Sequence, residues 1–174
     1  MKKATILAIL IALAMVGCHN QNNKTSQDDV KKAEAALFNE DQTVNPEAAT
    51  DAVSTFINYV EENPDAPDAA DYLFKAIEIS INTKQDPKQS IELVDKLLGN
   101  YPKCDKDPVA LFMLASFVYD EQLGDLDKAR AAYQRIVDDY PDSPFASDAA
   151  ISITQLGMTP DELVKMFEAQ ESER

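Results

Sequence analysis

At 174 residues, 45% of them hydrophobic, the chain can bury one continuous core of ordinary domain size. Its 16 Lys and Arg against 31 Asp and Glu give a formal charge of −15, which repels nucleic acid and anionic headgroups and excludes a basic nucleic-acid groove. Four glycines, no Trp and few alternating β-branched runs weigh against a sheet.

Lys2 and Lys3 precede an apolar run, Ala4 to Val16, that is short for a membrane span, so residues 1–17 read as a signal peptide. Met15-Val16-Gly17-Cys18 resembles the lipobox of bacterial lipoproteins, usually L-[AS]-[GA]-C. The resemblance implies cleavage before Cys18, acyl chains such as palmitate on that cysteine, and anchoring in the cell outer membrane. Each buried methylene of those chains contributes about 0.8 kcal/mol. Loss of Lys2 and Lys3 takes the charge from −15 to −17. With Cys18 acylated, Cys104 has no partner in the chain and reads as a small loop residue, pairing between molecules being the alternative. Residues 18–27 read as a polar tether reaching roughly 30 Å. It holds His19, the only histidine.

The helical domain spans residues 28–170. Asp28 to Glu40 reads as a short helix with Val30, Ala33, Leu37 and Phe38 inward. Asn45-Pro46-Glu47, a cap followed by proline, opens a helix to about Glu62. The next runs from about Pro67 to Asn82, with Phe74, Ile77 and Ile81 inward. Asp86-Pro87 restarts the chain for a helix carrying Ser90, Val94 and Leu97. Asp107-Pro108 starts another, its carboxylate placed to accept the amide hydrogens of the opening turn. Leu111, Met113 or Leu114, Phe117 and Val118 give it an apolar face, and Gly124 ends it. A helix with Ala129, Tyr133 and Ile136 follows, closed by Pro141. Ser143-Pro144 begins a helix with Ala146, Ala149, Ala150 and Ile153, ending near Gly157. Thr159-Pro160-Asp161-Glu162 is a capping box. It opens a last helix, Asp161 to about Gln170, whose Leu163, Val164 and Phe167 would cap the stack. Residues 171–174 read as a frayed tail.

Three of these helices repeat one pattern. Ala52, Phe56, Tyr59 and Pro64 have the spacing of Ser90, Val94, Leu97 and Pro102, and of Ala129, Tyr133, Ile136 and Pro141. The prolines are 38 and 39 residues apart. This resembles the tetratricopeptide repeat, whose second helix reads A-x3-[FY]-x2-A and then P. In the first helix, Phe112, Ala115, Ser116 and Tyr119 stand where the family has W, L, G and Y, and Gln122-Leu123-Gly124 lengthens the turn by about one residue. The resemblance covers roughly residues 28 to 157. It implies an all-α, right-handed solenoid of antiparallel helix pairs with a C-terminal capping helix.

It also implies a concave wall lined by first helices. Tyr72, Lys75, Ile79 and Asn82 would line one repeat, and Ala110, Met113, Phe117 and Asp120 the next. Chaperone-binding relatives clamp a carboxylate with Lys and Asn. Only Lys75 and Asn82 remain here, so a basic or neutral polypeptide is the better match.

Little points to an enzyme, a metal or a cofactor. The one histidine lies in the tether, and there is no glycine-rich phosphate loop and no C-x-x-C. Asp65, Asp68 and Asp71, and Asp138, Asp139 and Asp142, lack EF-hand spacing and read as helix starts and solvated turns. Glu61 and Glu62 are neighbours on one exposed helix. The expected function is a non-catalytic, membrane-anchored adaptor for protein partners in the cell envelope. Similar repeat lipoproteins serve outer-membrane barrel assembly, and related repeats serve the Tol-Pal system. The alternative is a surface nutrient- or glycan-binding accessory.

Overall fold

The computed structural model describes residues 24–84 and 86–172. The signal peptide, Cys18, His19 and most of the tether lie outside the described residues. The elements are α1 (Gln27–Ala36), α2 (Pro46–Glu62), α3 (Ala69–Asn82), α4 (Pro87–Asn100), α5 (Asp107–Met113), which continues as a π-helix (Leu114–Gln122), α6 (Leu126–Asp139), α7 (Phe145–Gln155) and α8 (Pro160–Ser172). Apart from one antiparallel bridge between Phe38 and Val44, the described residues form no β structure. This is the expected all-α solenoid.

Local chemistry starts most helices. Asn45 Oδ1 accepts the N–H groups of Glu47 and Ala48, both at 3.1 Å. Asp86 caps α4 through Lys88 N–H (3.0 Å), and Asp125 caps α6 through Lys128 N–H (3.1 Å). Each satisfies an amide that the first turn leaves without an intrahelical partner. The Thr159–Glu162 capping box also forms.

The start of α1 lies further back than expected. Ser26 and Asp29 make a capping box, so the helix begins at Gln27. Lys24 donates to the Glu62 carbonyl, and Thr25 N–H to the Glu62 carboxylate, so the end of the tether is pinned to α2. The helix also stops at Ala36 instead of Glu40, because the chain turns into the Phe38–Val44 bridge. Phe38, expected inward, is 59% exposed.

The repeat is visible in the backbone. Asn63, Tyr101 and Tyr140, each preceding a proline, end their helices with nearly the same geometry: φ −136, −127 and −133°, ψ 56, 56 and 52°. Each N–H donates to the carbonyl four residues back, at 2.9, 2.9 and 3.0 Å. Two further turns then recur at three-residue steps. Ala66 N–H bonds to Asn63 O, Cys104 to Tyr101, and Ser143 to Tyr140; Ala69 bonds to Ala66, Asp107 to Cys104, and Ala146 to Ser143. The small residues Ala52, Ser90 and Ala129 are all buried, as close helix crossing requires.

Asp107 occupies the position of Ala69 and Ala146 in this frame and is completely buried. It does not cap α5, whose N-cap is Lys106. Its Oδ1 accepts the Cys104 thiol (3.0 Å) and its Oδ2 the Tyr140 hydroxyl (2.9 Å). A buried carboxylate needs such donors, and they outcompete the local cap.

The extra residue expected in the Gln122–Gly124 turn is absorbed earlier. First-helix positions in the second and third repeats differ by 38 residues and second-helix positions by 39, so the insertion falls between Asp107 and Asp125. There the helix widens to the i→i+5 pattern, with Leu123 N–H on Val118 O at 3.0 Å. One residue added inside a helix has this consequence. Gly124, at φ +63°, then reverses the chain as expected.

Two apolar cores fill the stack. One joins α1 to α4 with the α5–π helix, around Phe56, Leu73, Ile77 and Leu97. The other joins the α5–π helix, α6 and α7, around Leu111, Tyr133 and Ile136. Burying each large side chain stabilises the fold by roughly 1.5–3 kcal/mol.

The C-terminal end departs from expectation. The α7 helix stops at Gln155, well short of the position equivalent to Gln122, so α8 starts out of register. Only Ala149 of α7 is buried, Ala150 is exposed, and α8 buries no residue. Val164 and Phe167 are 56% and 51% exposed, so α8 is no cap on this stack. It continues through Glu171 and Ser172, where fraying was expected, and residues 173–174 lie outside the described residues.

Candidate functional site

The expected groove positions have unequal fates. Tyr72 and Ala110 belong to the core. The Tyr72 ring packs edge-on to Tyr59 (5.1 Å between centroids) and beside Phe56 (5.7 Å). Burial pushes its hydroxyl pKa up, so it stays neutral. The Lys75 ammonium lies 5.0 Å from the Tyr72 ring centre and pairs with the Glu34 carboxylate of α1. It is therefore already engaged on both sides.

Ile79 and Asn82 do come together, at the far end of α3. With Leu37, Phe38, Val44, Glu78 and Thr83 they line a hollow of about 230 Å³. It shares Leu37, Phe38, Glu78 and Ile79 with a second hollow of about 310 Å³, which adds Phe56, Lys75 and Glu34. The second alone reaches the lower end of ligand-pocket sizes, about 300 Å³. Met113, Phe117 and Asp120 line neither. Met113 packs against the first core, Phe117 is 39% exposed, and the Asp120 carbonyl accepts Gly124 N–H at 3.0 Å.

Phe38 and Val44 were missed as site residues because Phe38 continues the apolar spacing of α1. The signal against that was the polar run Asn39 to Thr43, whose Asp41 accepts both the N–H (3.0 Å) and the hydroxyl (2.6 Å) of Thr43 and closes a tight turn. Glu78, which stands where the repeat family usually has Gly, is half-buried at the hollow's edge. Burial pushes its carboxyl pKa up, partly offset by Lys75 and Lys106.

Several of the carboxylates weighed as metal ligands have other partners. Asp68 accepts from Tyr59 and Gln27, Asp71 pairs with Lys106, and Asp139 pairs with Arg135. Among the described residues, no three His, Cys, Asp or Glu side chains converge to hold a metal ion.

The α5–π–α6 hairpin keeps the turns of the repeat at both ends despite its π-helix. Residues 109–143 match the tetratricopeptide repeat family. The match runs from the opening of α5 to the turn after Pro141, and the equivalent turns at Asn63 and Tyr101 extend the same geometry towards the N-terminus. Searches of curated proteins and of solved structures found no match.

Proposed function

We propose that the protein is a non-catalytic adaptor, held in the bacterial outer membrane by lipid on Cys18, that binds protein partners in the cell envelope through the wall formed by its first helices. The observation that carries the binding half is the solvent-open apolar hollow at Phe38, Val44 and Ile79, set on a stacked-helix scaffold. Exposed apolar surface with a polar rim marks interaction sites. Repeat solenoids present such surfaces. The Met15–Cys18 motif and the charged, apolar leader support the anchoring half.

Two experiments test it. A photo-crosslinking residue at Phe38 or Phe117, used in cells, should yield protein adducts identifiable by mass spectrometry. The same probe at exposed Asp51, on α2, should not. Absence of adducts at both Phe38 and Phe117 would remove the adaptor reading. Separately, Cys18→Ser should shift the chain from the membrane to the soluble envelope fraction, and an unchanged fractionation would remove the anchor.

A further inference from the structure

Resting on the adaptor reading, we propose that the hollow between the α1–α2 loop and the end of α3 is a socket for one apolar side chain of a partner polypeptide that carries a cationic residue beside that anchor, read by Glu78. The floor and walls are apolar: Phe56, Leu37 and Ile79, with Phe38 and Val44 at the rim. The loop is preformed. Asn39 N–H donates to Thr43 O and Asn45 N–H to Leu37 O, both at 2.9 Å, so binding loses little ordering entropy.

Charge selects the occupant. Lys75 is taken by Glu34 and by the Tyr72 ring. Among the described residues Glu78 forms no ion pair; Lys75 and Lys106 offset it only in part, and Glu34, Lys75 and Glu78 together leave the lining one negative charge in excess. A cation beside the anchor would satisfy it in a partly desolvated setting, where a charge pair is worth more than at the open surface. A second copy of this chain is a poor occupant. Its exposed amphipathic helix, α8, carries Asp161, Glu162, Glu168 and Glu171 against Lys165 alone.

The chain contains no Trp, so Phe38→Trp places a single reporter on the socket rim. The full chain in neutral-lipid nanodiscs is titrated with a short Gly-Ser peptide holding one Phe between two Lys, and Trp emission is followed. A saturable change is expected. It should weaken by about fivefold with Glu78→Gln, and similarly when the peptide's Phe becomes Ala, but hold with Asp51→Asn, which removes the same charge elsewhere. A peptide with Glu in place of Lys should leave the emission unchanged. The socket is overturned if the Glu peptide binds as well, if Glu78→Gln and Asp51→Asn act alike, or if no peptide changes the emission. Should crosslinking at Phe117 still capture a protein, the adaptor reading stands while the socket falls.

Discussion

Tyr140 and Asp107 meet at 2.9 Å across 33 residues of chain, hydroxyl donating to a carboxylate with no exposure to solvent. Tyr101, the equivalent residue one repeat earlier, instead donates to the Pro64 carbonyl at 3.0 Å near the surface. The difference follows from Asp107 standing where Ala69 stands in the preceding repeat.

Tyr140→Phe should therefore destabilise the fold by about 1–3 kcal/mol, because a buried acceptor loses a donor that water cannot replace. Tyr101→Phe should cost about 0.5–1.5 kcal/mol. Urea unfolding of both variants measures the difference. Equal costs would mean that the buried carboxylate exerts no special demand.

Burial, with Asp107 beside it, pushes the Cys104 thiol from 9.0 up to about 11. Raised folded-state values favour the protonated form. The associated stability is present below about pH 9 and lost as pH rises towards 11. Tyr140, pushed up from 10.0 to about 12, acts in the same direction between those values. In a Cys18→Ser chain, alkylation of Cys104 should rise with a midpoint near 11 when native and near 9 in urea. Superimposed profiles would show that the thiol is not sheltered.

Ser80 and Ser90 are buried and share one hydrogen bond at 2.8 Å between α3 and α4. Ser80→Ala or Ser90→Ala alone should cost about 1 kcal/mol, since each leaves a buried hydroxyl behind. The double variant should cost less than the two singles together, with a coupling of about 0.5 kcal/mol or more. Strict additivity in thermal or urea unfolding would remove the hydrogen bond from the account.

Deleting Gln122 should let the π-helix return to four-residue hydrogen bonding, because it removes the one residue by which the third repeat exceeds the second. Helical circular dichroism should persist, and the unfolding midpoint should hold or rise. A large drop would show that the wide turn is needed for packing, not merely tolerated.

Truncation after Met158 should leave the unfolding free energy unchanged within about 0.5 kcal/mol, because α8 buries none of its side chains. Binding of a hydrophobic dye should fall, as Val164 and Phe167 leave with the helix. A marked loss of stability would place α8 against the stack in solution.

The helix starts at Asn45, Asp86 and Thr159, the stop at Gly124 and the proline-anchored ends were legible because their causes act within four residues. The buried set Ala52, Ser90 and Ala129 was legible because it recurs in phase. The lining of the hollow was legible only in part. Ile79 and Asn82 fall where the repeat places them, but Phe38 and Val44 enter through a turn that exists only once the α1 helix has stopped.

The order of the helices, their proline-marked ends, their repeat, and the acidic charge were thus written in the residues themselves, through hydrogen bonds and steric limits between near neighbours. Only the tertiary structure decided that Asp107 bonds Cys104 and Tyr140, that Tyr72 is core while Phe38 is rim, and that α8 stays undocked. Each of these turns on which distant groups arrive together, and burial then ranks competing partners in a way that no local window of sequence contains.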